Sequence, residues 1–172
     1  MIIQKDNYIF DVDIEATKSY SLNHSLCDCN EDRNFYIQAK DKFPKLTEFL
    51  SDFGILIERP DETASVPLNN EIQYLFTAYT VIGKIANSPK CEFDLFDGEL
   101  SLHIVIDNEY IPNEQTTDEY FTINIYNICL PWVLDEPFPF DNHIPLSSKI
   151  KKLLKRKWGK LCHIKKDYRL KI

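Results

Sequence analysis

The sequence predicts an α+β fold, with N-terminal helices packed against a mostly antiparallel sheet and a basic amphipathic helix at the C-terminal end. Three observations predict it. Apolar residues recur at helical spacing through residues 13–54. From about 66 to 130 the pattern turns to β-branched and aromatic residues, partly in strict alternation. After 147 helical spacing returns, with lysines filling the opposite side. The 172 residues suit a single domain over 1–172, made of a helical part (13–54), a sheet part (66–130), a Pro-rich segment (131–146) and a basic helix with its tail (147–172).

Tyr8 to Val12 is a short strand candidate. Asp13 is placed to cap a brief helix, DIEATKSYS, with Ala16 and Tyr20 on one face. A second helix, NEDRNFYIQAKDKF, is expected to be capped by Asn30 or Asp28, the latter with Glu31 at capping-box spacing. Its apolar stripe is Phe35, Ala39 and Phe43. Pro44 suits the first turn of a further helix, in which Leu46, Phe49, Leu50 and Phe53 fall at i, i+3, i+4 and i+7 and Gly54 ends it. ILIERPDE then reads as a short extended piece ending in a turn.

EIQYLFTAYTVIGKI is apolar on both faces, as a central strand covered on both sides should be, although its length also permits a helix. CEFDLF-DG-ELSLHIVI reads as a hairpin turning at Asp97-Gly98. That turn sets Leu95 opposite Leu100, Phe93 opposite Leu102 and Cys91 opposite Ile104. A polar loop follows over 107–119, then a strand with Phe121, Ile123 and Ile125 inward. Pro131, Pro137, Pro139 and Pro145 exclude a central strand or helix from the next segment. The last helix carries Ile150, Leu153, Leu154, Trp158 and Leu161 on one stripe.

Composition narrows the function. The chain is 44% apolar and 13% aromatic, enough to build a core. Four glycines are few for a loop that wraps a phosphate, which disfavours a nucleotide-binding α/β fold. The N-terminus has neither the basic region nor the apolar run of a secretory signal, and no stretch is long and apolar enough to span a bilayer. Five scattered cysteines, Cys27, Cys29, Cys91, Cys129 and Cys162, read as reduced thiols in a cytoplasmic protein. Charge is uneven: residues 1–148 hold 9 Lys+Arg against 26 Asp+Glu, while 149–172 hold 11 against one. A body at −17 repels nucleic acid, leaving residues 149–171 as the only plausible route to it.

The densest reactive cluster is His24-x-x-Cys27-x-Cys29-x-x-Asp32. Imidazole, thiol and carboxylate all ligate zinc, although structural sites usually space their cysteines by two to four residues. A tight turn with inert thiols is the ordinary explanation. Cys29, close to a helix start, is expected to have a lowered pKa and so the makings of a nucleophile. Glu92, Asp94, Asp97 and His103 share a hairpin, where a solvated face explains them better than an acid–base set.

Around this cluster the chain resembles an uncharacterised bacterial family that has no established activity. The resemblance rests on C-x-C-x-x-[C/D]-R-N-[FY], on P-x-L-x-x-F-L before a glycine, on the RPDE turn and on the late LPWVLDEP segment. Cys27, Cys29, Arg33, Asn34 and Phe35 keep the motif, and Asp32 stands where a third cysteine is expected. The resemblance implies that any metal there meets a harder ligand set.

The expectation from sequence is a non-catalytic protein-binding protein, akin to an inhibitor or immunity protein, whose acidic surface meets a basic partner. No cofactor is expected. Arg33, Asn34, Trp132, Lys151, Lys152 and Lys155 are candidates for partner contact. The alternatives are a metal- or thiol-dependent enzyme centred on His24, Cys27, Cys29 and Asp32, with zinc as the metal, and nucleic-acid binding through the basic helix.

Overall fold

The computed structural model describes residues 1–109 and 118–139. Met1–Pro137 forms one compact unit. The segment expected to form the basic helix, with Lys151, Lys152 and Lys155, lies outside the described residues, as do 110–117.

This unit is α+β. Its sheet consists of β1 (Ile2–Lys5), β2 (Tyr8–Val12), β3 (Glu62–Leu68), β4 (Glu71–Ile85), β5 (Cys91–Asp97), β6 (Leu100–Asp107), β7 (Tyr120–Tyr126) and β8 (Ile128–Pro131). Four short helices lie between β2 and β3: α1 (Ile14–Asn23), α2 (Asn30–Tyr36), α3 (Ala39–Lys42) and α4 (Pro44–Ser51). The strand order is β1-β2-β4-β7-β6-β5, with β3 and β8 also on β4, and every pair is antiparallel.

β4 organises the sheet, because one 15-residue strand pairs with four others. Residues 77–82 are all buried, which accounts for the sequence being apolar on both faces. Leu75 is an extra residue opposite the Ala64/Ser65 step of β3, a bulge that bends the strand. β3 and β4 join through Asn69-Asn70, at φ 52 and 70, as a type I′ turn requires. Where β2 meets β4, Gly83 sits at φ 146, and a Cβ there would lie 2.1 Å from the Asp11 carbonyl oxygen.

The sequence placed β2 and β4 at their observed bounds, and Phe35, Ala39, Phe43, Leu46, Phe49, Leu50 and Phe53 are all buried as expected. Asp13 caps α1 by accepting from the Ala16 N–H at 3.0 Å. The face α1 buries is polar, Thr17 and Ser21, rather than Ala16 and Tyr20. Thr17 explains why: its hydroxyl donates to the Asp13 carbonyl and accepts the Ile82 N–H at 3.0 Å. The second helix breaks into α2 and α3, and its N-cap is Cys29, with no side-chain cap from Asp28 or Asn30.

The β5–β6 hairpin is shifted by two residues from the expected register. Asp97 pairs with Leu100, Leu95 with Leu102 and Phe93 with Ile104, so Gly98-Glu99 forms the turn. Gly98 alone has positive φ (62), the pattern of a II′ turn. Asp97 holds this register. Its Oδ2 accepts the Lys45 and Leu46 N–H groups at 2.9 and 3.0 Å, capping α4 from across the fold. A shift of two preserves the alternation, so the inward and outward faces stay as expected.

An aromatic ladder ties the layers together. Phe93 meets Phe49 (5.5 Å), Phe49 meets Phe53 (5.3 Å), and Phe53 meets Phe10 (5.3 Å), which meets Phe121 (5.6 Å). The fully buried rings stabilise the fold by about 2–3 kcal/mol each.

Candidate functional site

Cys27 and Cys29 lie on the short loop between α1 and α2, and Asp32 on the first turn of α2. Their ligand atoms all fall within 4.8 Å of one another. Asp32 is only 5% exposed, and the Thr63 hydroxyl of β3 donates to its Oδ1. The Cys29 N–H donates to Cys27 Sγ at 3.4 Å.

The cluster borders a pocket of about 400 Å³ lined by Ser25, Leu26, Cys27, Asp32, Tyr36, Pro60, Asp61 and Glu62. No lining residue is basic. Asp61 is nine-tenths buried, and burial raises its pKa, opposed by hydrogen bonds with Thr80 and Tyr20 and by the nearby His24. Burial, followed by the charges of Asp32, Cys27 and Cys29, also raises the Tyr36 hydroxyl.

His24 does not join the cluster. Its Nδ1 faces the Tyr20 carbonyl at 3.3 Å and its Nε2 the Pro60 carbonyl at 3.0 Å, while its ring stacks on Tyr20. The imidazole braces the end of α1 against the segment that leads into β3, at Pro60. Arg59 reinforces the brace by donating to the carbonyls of Ser21 (2.6 Å), Leu22 (3.1 Å) and His24 (2.9 Å).

The expected activation of Cys29 is reversed. Its thiol is pushed up to about 12, first by desolvation of the sulfur, then by its hydrogen bond with Cys27 and the charge of Asp32. A thiol held protonated near neutral pH is a poor nucleophile.

Arg33, Asn34 and Trp132 meet on the other side of α2. Arg33 donates to the Glu136 carboxylate at 2.8 Å and to Asn30 at 3.2 Å. Asn34 donates to the Pro131 carbonyl at 3.1 Å and accepts the Val133 N–H at 2.9 Å. Gln38 adds a second donor to Pro131, and the Trp132 indole N–H donates to the Glu136 carbonyl. These groups clasp the 131–136 segment to α2, so all three candidates are engaged within the chain.

On the hairpin, Glu92, Asp94 and His103 stand on the exposed face, with His103 Nδ1 3.0 Å from Asp94. Asp97 points the other way, into its helix cap. The four do not form one acid–base set.

A second concavity, of about 800 Å³, opens where β2, the start of α1, the end of β4 and the approach to β7 come together. Asp11, Asp13, Glu15, Asp118 and Glu119 line it, against Lys84 and the amino group of Met1. That amino group lies 3.6 Å from Asp11. Sequence reasoning missed this groove, because its carboxylates come from segments about a hundred residues apart.

Comparison with protein-family models, curated proteins and solved structures gives no match. The resemblance in C-x-C-x-x-[C/D]-R-N-[FY], RPDE and LPWVLDEP thus rests on the residues themselves. The structure gathers those three segments around α2. Asp61 and Glu62 of RPDE face the pocket beside Cys27 and Asp32, and Pro131–Glu136 is clasped by Arg33 and Asn34. The RPDE turn was therefore the signal in the sequence for the far wall of the pocket. Among the described residues no helix is long and apolar enough to cross a membrane.

Proposed function

We propose that this chain is a non-catalytic binding protein whose acidic groove receives a basic protein partner. The observation that carries the reading is the groove itself, a concavity of about 800 Å³ with five carboxylates on its walls and a single lysine. A wall with an excess of one charge sign focuses the field outward, which speeds encounter with a basic surface and disfavours an acidic one. The excess of carboxylates over 1–148 extends that field beyond the groove.

The thiol enzyme is the weaker reading, because Cys29 is held protonated and His24, the local base, stands outside the cluster with its ring nitrogens facing the Tyr20 and Pro60 carbonyls. Nucleic-acid binding would rest on residues 149–171, which stand outside the described structure.

The test is co-purification of the chain with its partner at about 0.05 M and about 0.5 M salt, followed by titration of the identified pair across the same range. The reading predicts a basic partner and an affinity that falls as salt rises. An acidic partner, or an affinity independent of salt, would contradict it.

A further inference from the structure

We infer that Cys27, Cys29 and Asp32 hold a thiophilic divalent metal ion, Zn²⁺ foremost, at the edge of the pocket beside α2. A tetrahedral shell with Zn–S about 2.3 Å and Zn–O about 2.0–2.2 Å sets its ligand atoms about 3.5–3.8 Å apart. The three ligand atoms already lie within 4.8 Å of one another. Cys27 and Cys29 are exposed residues, and each thiol has one side-chain torsion through which to close the remaining ångström.

The surroundings fit a cation. Asp32 is buried and oriented by Thr63, the kind of outer hydrogen bond that aims a ligating carboxylate. The Cys29 N–H already points at Cys27 Sγ, where it would favour a thiolate. Asp61 and Glu62 add negative charge to the same pocket. The nearest guanidinium in sequence, Arg33, is turned away to Glu136 and Asn30. Three buried or half-buried acids, Asp32, Asp61 and Glu62, and a pair of thiols thus converge where the pocket wall offers no positive charge.

The donor set selects the ion. Binding the ion displaces the thiol protons, that of Cys29 included, and the resulting two thiolates favour Zn²⁺ or Co²⁺ over Mg²⁺ or Ca²⁺, which prefer oxygen alone. Three protein ligands leave one tetrahedral position, which suits a water. The site does not depend on the acidic groove, so either proposal can stand without the other.

The test is titration of Co²⁺ into the reduced full-length chain. The inference predicts a sulfur-to-cobalt charge-transfer band and tetrahedral d–d bands that saturate at one ion per chain and vanish on adding Zn²⁺. Cys27→Ser, an exposed substitution, and Asp32→Asn are each expected to weaken binding at least about 100-fold. Cys129→Ser should leave the spectrum unchanged. Thermal melts confirm that the variants fold, and Cys29→Ser gives a second reading should either of the first two fail. Absence of a charge-transfer band in the reduced chain, or a band that persists in folded Cys27→Ser and Cys29→Ser, would overturn the inference.

Discussion

Replacing Asp97 with alanine tests whether the β5–β6 register and the helical layer are coupled as described. Asp97 is 7% exposed, and one of its oxygens accepts two N–H groups at the start of α4, at 2.9 and 3.0 Å. Losing an N-cap costs about 1–2 kcal/mol. Leaving a buried N–H without its charged acceptor adds about 1–3 kcal/mol, and loss of a carboxylate at a helix start about 0.5 kcal/mol. Because these contributions overlap, the expected loss is about 3 kcal/mol. At a urea m-value of about 2 kcal/mol/M, the unfolding midpoint falls by about 1.5 M with unchanged slope. Asp97→Asn keeps an acceptor oxygen and should lose only about 1 kcal/mol. In the register read from sequence, Asp97 is a solvated turn residue and the alanine variant would be nearly neutral. A loss below about 0.5 kcal/mol would therefore refute both the cap and the shifted register.

Two further predictions concern the surroundings of the site. Asn34→Ala orphans the Val133 N–H and removes one of two donors to Pro131, so about 2 kcal/mol of stability should be lost and protease cleavage within 132–139 accelerated; unchanged cleavage would contradict the clasp. Burial raises the pKa of Asp61, so its folded value lies above its unfolded one. Its favourable contribution is then complete below the ordinary Asp value and is lost as pH rises through the raised value. Asp61→Asn lacks this loss, so its stability relative to the natural chain should improve between about pH 4 and pH 7, as urea unfolding would show. A difference that stays constant or reverses would count against a buried, raised Asp61.

Much of the sheet could be read locally because its signals are local. β4 is apolar on both faces, and Phe121, Ile123 and Ile125 alternate inward in β7. The hairpin faces were legible, but the register was not. A two-residue shift leaves alternation intact, and what selects it is a carboxylate reaching a helix 51 residues away. β1 and β3 left little trace. β1 is four residues at an edge, and all seven residues of β3 are half-buried, with a proline among them. The asparagine pair at 69–70 was the overlooked turn signal.

The thiol–carboxylate cluster could be read because its members are five residues apart or fewer. His24 looked equivalent, but it follows α1 with its ring stacked on Tyr20 and its nitrogens facing the Tyr20 and Pro60 carbonyls, away from the cluster. The lowered thiol pKa expected for Cys29 fails because desolvation of the sulfur, then the hydrogen bond with Cys27 and the charge of Asp32, raise it, and the pocket wall carries no basic residue to oppose them. The acidic groove required the folded chain, since β2, β4 and the start of β7 become neighbours only in the sheet.

The acidic groove is tested most directly by charge-matched variants. Glu15→Lys with Glu119→Lys reverses two groove carboxylates, and Glu71→Lys with Glu99→Lys makes the same change elsewhere. Both variants move the formal net charge from −7 to −3, so they differ only in where the field is lost. With the co-purified basic partner at low salt, the groove pair is predicted to lower affinity at least about tenfold and to slow association, while the other pair stays near the natural chain. Equal losses in both variants would mean that net charge alone attracts the partner, and would contradict the groove as its site.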